Sequence, residues 1–180
     1  MSRLIATFFY VGHIRGAPGT WGSLAALPLA YVIHGFYGWS GLLAATFFVF
    51  FIGWWATKSA TAGKDDHDPG EIVVDEVVGQ WIALLPLSFL AGLITPCARE
   101  FGGNCWPVEL YFTVTPLPVI SMFAAFLLFR LFDIWKVGLV GWADRLGTSL
   151  GVMLDDVIAG IAAALVWLAG AYTLATLAYS

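Results

Sequence analysis

Two cysteines, Cys97 and Cys105, are all that the 180 residues contain. They sit among Gly, Pro and Trp, with no zinc-type spacing to another Cys or His and no Cys-x-x-Cys redox pair. Two readings stay open for them: a disulfide, if their loop faces an oxidising compartment, or two free thiols. Charge is scarce as well. Asp, Glu, Lys and Arg make up 11% of the chain, eight basic residues against twelve acidic ones, for a net charge of −4. With no basic tail, no Lys/Arg cluster and no nucleic-acid motif, nucleic acid is not expected as a partner. A cleavable signal peptide is not expected either, because His13 and Arg15 follow the apolar run Leu4 to Val11 and no Ala-x-Ala site appears. No repeat or linker marks a second domain, so residues 1–180 read as one unit.

What the chain has in abundance is apolar surface. It is 60% hydrophobic, against about 45–50% for a soluble domain, and its mean hydropathy is +0.85. Nine Trp, fourteen Phe and six Tyr suit aromatic belts at membrane surfaces. The expected fold is all-α, a polytopic membrane helix bundle of about five transmembrane helices of ~20 residues each. A short N-terminal helix over Leu4 to Val11, re-entrant or interfacial, precedes them. The spans read as Leu24 to Phe36, Leu42 to Thr57, Val77 to Thr95, Val119 to Trp135 and Val157 to Tyr179. A tight turn at Gly35 to Gly41 joins the first two. The stretch Gly12 to Ser23 is a Gly-rich break in which Thr20 or Ser23 could cap the next helix and backbone N–H groups could face an anion.

Five spans starting inside put seven of the eight basic residues on or near one side, leaving Arg99 on the other. That asymmetry makes the first side cytoplasmic. Ten of the twelve acidic residues fall there too, although acidic residues do not set orientation, so their clustering points to a site. Asp75-Glu76 enters the third span, Asp133 leaves the fourth, Asp144 follows, and Asp155-Asp156 enters the fifth. Carboxylates gathered at low dielectric repel unless cations neutralise them. An oxygen-only set favours magnesium or manganese over zinc. Charges of this kind at helix starts also suit the helix dipole, and that alone would explain either pair taken singly. Arg130, Asp133 and Lys136 are three residues apart and are expected on one helix face. Lys136 and Arg145 could hold a phosphate, and His67-Asp68 could assist proton transfer.

In chain order these residues form a series of motifs: Pro18-Gly-Thr-Trp-Gly-Ser-Leu24, His67-Asp-Pro-Gly70, Ile72-Val-Val-Asp-Glu-Val-Val-Gly79, Phe129-Arg-Leu-Phe-Asp-Ile-Trp-Lys136, Trp142-Ala-Asp-Arg145 and Gly151-Val-Met-Leu-Asp-Asp-Val-Ile-Ala-Gly160. The series resembles phosphatidylglycerophosphatase A, a bacterial inner-membrane, magnesium-dependent lipid phosphatase. The resemblance implies hydrolysis of phosphatidylglycerophosphate to phosphatidylglycerol and phosphate, with a phosphorylated phospholipid as substrate and Mg2+ as cofactor. It marks Asp75, Glu76, Asp133, Lys136, Asp144, Arg145, Asp155 and Asp156, with Gly19 and Thr20; from their chemistry, Asp75, Glu76, Asp155 and Asp156 are expected as metal ligands and Lys136, Arg145, Gly19 and Thr20 as phosphate contacts. Catalytic roles fall to Asp133, Asp144 and Asp68. The chain departs from the family pattern at Val74, at Val137-Gly-Leu139 and at Thr148-Ser-Leu150.

Two readings from other classes compete. A divalent-cation transporter or channel could use the same carboxylates, but it usually carries polar groups near the bilayer midplane, where the spans here offer little beyond Gln80 and His34. A non-catalytic subunit could hold the charges as structural ion pairs. Other phosphatase chemistries lack their residues: there is no Cys-x5-Arg loop, no Asp-x-Asp-x-Thr and no paired histidine motif.

Overall fold

The computed structural model describes residues 1–64, 68–100 and 117–179, with side chains placed over 1–64, 68–91 and 119–177. Every regular element among the described residues is helical. In order these are α1 (Ser2–Ala6), one 3-10 turn (Val11–His13), α2 (Pro18–Thr61), α3 (Val74–Glu100), α4 (Leu117–Trp135), α5 (Leu139–Asp144) and α6 (Ser149–Tyr179). Three helical stretches are long and apolar enough to cross a membrane: Pro18–Thr61, Val74–Ala91 and Ser149–Leu177.

The long helix α2 is two helices in space. Gly38 breaks it with φ 64° and ψ −163°, a left-handed conformation that glycine adopts without steric cost. On a straight helix Gly22 and Gly53 would stand about 46 Å apart, at 1.5 Å per residue. Instead Gly22 packs on Val73 and Gly53 on the adjacent Val74. The halves before and after Gly38 therefore run antiparallel, and the turn expected between residues 35 and 41 is made at this single residue.

Burial sorts the helices into a centre and a shell. Of the apolar window in α3, 61% is buried, against 11% in α2 and 17% in α6. Val77, Val78, Trp81, Ala83 and Leu84 of α3 are all buried in the core. Meanwhile Phe47, Phe48 and Phe51 of α2 and Leu165 and Tyr172 of α6 are exposed, a distribution suited to hydrocarbon rather than water. Trp81 Nε1 donates to the Ala26 carbonyl at 2.9 Å, fixing α3 to the first half of α2 and satisfying the buried indole.

Helices α3 and α6 approach closely at a pair of glycines. A side chain on Gly160 would begin 2.4 Å from the Gly79 carbonyl oxygen, and one on Gly79 would begin 2.6 Å from the Asp156 carbonyl oxygen and 2.5 Å from the Phe129 ring. Small residues let the backbones meet. Gly79 lies one helical turn after Asp75, and Gly160 one turn after Asp156, so this contact sets the acidic pairs of the two helices side by side.

Several expected boundaries move. The N-terminal helix covers Ser2–Ala6 rather than Leu4 to Val11, because Phe8, Phe9 and Tyr10 take left-handed backbone with φ of 44°, 55° and 68°. This segment is strapped beneath the start of α3: Val73 N donates to Ala6 O at 2.9 Å, and Arg3 pairs with Glu71 at 3.2 Å. Neither Thr20 nor Ser23 caps α2, which starts at Pro18 without a side-chain cap; Ser23 Oγ donates to Gly19 O inside the helix instead. Helix α6 starts at Ser149, two turns before Val157, so Asp155-Asp156 lies inside it rather than at its N-terminus. Dipole stabilisation of the first turn thus applies to Asp75-Glu76 but not to Asp155-Asp156. Cys97, Cys105 and His67 lie outside the described side chains.

Candidate active site: a buried carboxylate cluster

Asp75 and Glu76 project from the first turn of α3, and Asp156 reaches them from α6. One carboxylate oxygen of each lies within 4.8 Å of the others. Asp75 and Asp156 are only 5% and 3% exposed. Two full charges at that separation repel by about 3–4 kcal/mol at an effective dielectric near ~20. No lysine or arginine forms an ion pair with any of these three among the described residues. Moreover Glu76 Oε2 and Asp156 Oδ1 are buried without a hydrogen-bond partner. Unpaired buried oxygens of this kind cost free energy, and an all-oxygen set is what a hard divalent cation takes. The residues therefore fit a magnesium-type ion, with Asp75, Glu76 and Asp156 as its protein donors.

Asp155, grouped with these three in the sequence, is committed elsewhere. Its Oδ2 accepts from Lys136 Nζ at 3.0 Å, and the same ammonium is hydrogen-bonded to Asp144. The backbone explains why. Lys136 takes φ 45°, a left-handed conformation at the end of α4, where glycine is the usual residue. The chain leaves the helix there, so the expected ladder of Arg130, Asp133 and Lys136 on one face is interrupted after the Arg130–Asp133 pair. Lys136 is thrown instead toward α5 and α6. Burial acts to lower the Lys136 pKa, but the hydrogen bonds and charges of Asp144 and Asp155 outweigh it and hold the ammonium above the ordinary lysine range.

Asp133 is near enough for its charge to act on Asp156, which joins α4 to the cluster. Asp68, on the segment before α3, is close enough to interact with the charges of both Asp75 and Asp155. Gly19, in the first turn of α2, has no space for a side chain because Glu76 Oε1 and Arg130 Nη1 stand 2.1 and 3.2 Å from where its Cβ would be. The N-terminal amides of α2 at Gly19 and Thr20 lack intrahelical acceptors by position, and Gly19 stands against Glu76. Arg145 is exposed after α5 and makes no ion pair among the described residues, leaving it at the rim.

The structure thus gathers Asp75, Glu76, Asp133, Asp156 and Gly19, with Asp155, Lys136 and Asp144 as an adjoining triad. Two residues absent from the expected set join them. Arg130 reaches Gly19 and Glu76, and Gln80, one turn below Glu76 on α3, is fully buried with both amide atoms unpaired. The available signal for each was a polar side chain inside an apolar run.

Comparisons with known proteins place these residues in a lineage. A family model described as "Phosphatidylglycerophosphatase A" matches residues 4–171. A Haemophilus influenzae protein named phosphatidylglycerophosphatase A is 35% identical over 164 residues, covering 91% of this chain and 84% of that protein. An Escherichia coli protein of the same name is 30% identical over 162 residues, 89% of this chain and 78% of that protein. A Bacteroides thetaiotaomicron protein, named as a candidate phosphatidylinositol-3-phosphatase, is 34% identical over 162 residues, 88% of this chain and 86% of its own. No solved structure matches the chain.

Proposed function

Since the chain belongs to the phosphatidylglycerophosphatase A family, we propose that it removes the phosphate monoester of phosphatidylglycerophosphate, leaving phosphatidylglycerol and inorganic phosphate. A phosphoric monoester hydrolase is the enzyme class of that family. The observation that carries the reading is the meeting of Asp75, Glu76 and Asp156 from two helices with buried oxygens left unpaired.

Mg2+, when bound by Asp75, Glu76 and Asp156, would supply positive charge to the transferring phosphoryl oxygens, the main requirement of phosphoryl transfer. The chain's own groups divide the remaining work. Amides of Gly19 and Thr20 at the start of α2 receive phosphate oxygens. Arg145 meets the head group at the rim. Lys136 locks Asp155 and Asp144 in place and adds positive charge beside the phosphate. Asp133 orients Asp156 and Arg130. Asp68 takes a proton of the water whose oxygen bonds to phosphorus, the P–O bond to glycerol breaks, and the departing glycerol oxygen takes up a proton from solvent as Asp68 releases its own.

The membrane placement follows the same reading. The two halves of α2, together with α3, α4 and α6, make five crossings of a bacterial inner membrane. The carboxylate end lies on the cytoplasmic side, where seven of eight basic residues gather. A phospholipid diffusing in that leaflet reaches the site without leaving the bilayer. The transporter reading gains nothing, since the matched relatives are named as phosphatases.

The test is phosphate release from a panel of micellar lipids (phosphatidylglycerophosphate, phosphatidic acid and phosphatidylinositol 3-phosphate), with and without chelator. Phosphatidylglycerophosphate is expected to be hydrolysed fastest, and chelator and Asp156→Asn each to stop it. Preference for the inositol lipid would move the substrate assignment toward the Bacteroides relative. Turnover indifferent to chelator and to Asp156→Asn would overturn the site.

A further inference from the structure

We propose that Arg130 and Gln80 form the inner wall of the phosphate site, each offering N–H groups to the phosphoryl oxygens of the substrate. The inference rests on the phosphatase reading above and deepens it by naming the groups that grip the anion.

Three observations point the same way. First, the guanidinium of Arg130 is only partly spent. Nη1 touches Asp133 Oδ2 as an ion pair, but without the alignment of a hydrogen bond, and Nε is buried with no acceptor. Arginine offers five N–H donors in a planar fork that matches phosphate geometry, so buried unused donors mark a place where an anion fits. Second, Gln80 is 0% exposed and neither its Nε2 nor its Oε1 has a partner. It follows Glu76 by four residues and therefore shares its helix face. Helical side chains lean toward the N-terminus, which aims the Gln80 amide at the carboxylate cluster. Third, Arg130 and Glu76 both crowd Gly19, so the guanidinium stands where the N-terminal amides of α2 begin. The chain thus brings buried donors of α3 and α4 and the start of α2 close to carboxylate oxygens from α3 and α6. A phosphate held next to a cation satisfies both sets: donors meet its oxygens, and carboxylates meet the ion.

The cationic alternative for this duty, Lys136, is already shared by Asp144 and Asp155. Arg130 has one carboxylate partner and spare donors, so it is available for an incoming phosphate.

The purified full chain in detergent, with magnesium present, is titrated with inorganic phosphate and its thermal unfolding followed. The wild type is compared with Gln80→Leu, Arg130→Lys and Arg130→Gln. Phosphate is expected to raise the wild-type Tm in a saturable way. Gln80→Leu removes an unpaired buried amide, so its Tm without phosphate is expected to equal or exceed the wild type's, while its phosphate affinity falls by at least ~10-fold. Arg130→Lys keeps the charge but loses the fork and is expected to weaken phosphate binding similarly; Arg130→Gln should weaken it more. A purely structural role would lower Tm and leave phosphate affinity alone. Wild-type affinity in Gln80→Leu and Arg130→Lys, or no phosphate effect on the wild type, would overturn the inference. If phosphate binds through Arg130 and Gln80 but no phospholipid is hydrolysed, the anion site stands and the phosphatase reading falls. If lipid is hydrolysed and the variants bind phosphate normally, only this inference falls.

Discussion

Two stretches of α3, its first turns and the turns around Ser88, handle buried polarity in opposite ways. Toward its later turns, Ser88 is buried and its hydroxyl meets His34 Nδ1 at 2.7 Å, while Phe89 stacks edge-on with Trp39 at 5.4 Å between ring centroids. Polar and aromatic groups there are matched within the protein. At the first turns of the same helix Glu76 Oε2, both amide atoms of Gln80 and, across the gap, Asp156 Oδ1 and Arg130 Nε are buried and unmatched. Each such atom costs about 1–3 kcal/mol. On the proposed function, the atoms left unmatched in the first turns are the ones that a bound ion and phosphate would complete.

The largest effect that would sharpen this contrast is expected from Asp156→Asn. Phosphate release should fall by about 10²–10³-fold or more, while Tm measured in chelator should rise, because a like-charge repulsion is removed. A variant that lost both activity and metal-free stability would break the contrast, since Asp156 would then be holding the fold together.

Next is Gly79→Ala. Its methyl would begin 2.5 Å from the Phe129 ring and 2.6 Å from the Asp156 carbonyl. Denaturation should show a loss of about 1–3 kcal/mol from overpacking. Turnover should drop as well, because α3 and α6 must separate and carry their carboxylates apart.

Lys136→Met tests the triad beside the cluster. The wild-type ammonium is held above the ordinary lysine range by Asp144 and Asp155 against the effect of burial. A raised folded-state pKa contributes stability that is fully present below the unfolded value, about 10.4, and is lost as pH rises through the folded one. Wild type should therefore exceed Lys136→Met in Tm by a near-constant margin between about pH 7 and 9, the margin closing at more alkaline pH. A margin that vanished near neutrality would contradict the geometry.

The smallest effect is expected at the completed end. Ser88→Ala should cost about 1 kcal/mol from the lost hydrogen bond to His34 and leave turnover within about twofold, consistent with a site confined to the other end.

Much of this contrast was legible in the sequence. Hydropathy located the apolar helices, and the acidic residues at Asp75-Glu76 and Asp155-Asp156 flagged the site because charge beside hydrocarbon is costly. The motif order carried the family. What local pattern could not show was decided by contacts between distant residues. The Gly79–Gly160 approach selects Asp156, and not Asp155, for the cluster. A left-handed Lys136 defeats the three-residue spacing that placed it with Arg130 and Asp133. Helix α6 begins two turns early, with Gly151 packed on Ala143 of α5, so the acidic pair lies inside a helix instead of at its dipole end. Gln80 and Arg130 were visible only as polar exceptions in apolar runs; their missing partners needed coordinates.

Direct binding of Mn2+ to the purified chain, followed by electron paramagnetic resonance, tests the central claim without reference to any substrate. The account predicts saturable uptake by the wild type and by Ser88→Ala, and loss of that uptake in Asp75→Asn, Glu76→Gln and Asp156→Asn. No uptake by the wild type, or uptake unchanged in all three carboxylate variants, would contradict it.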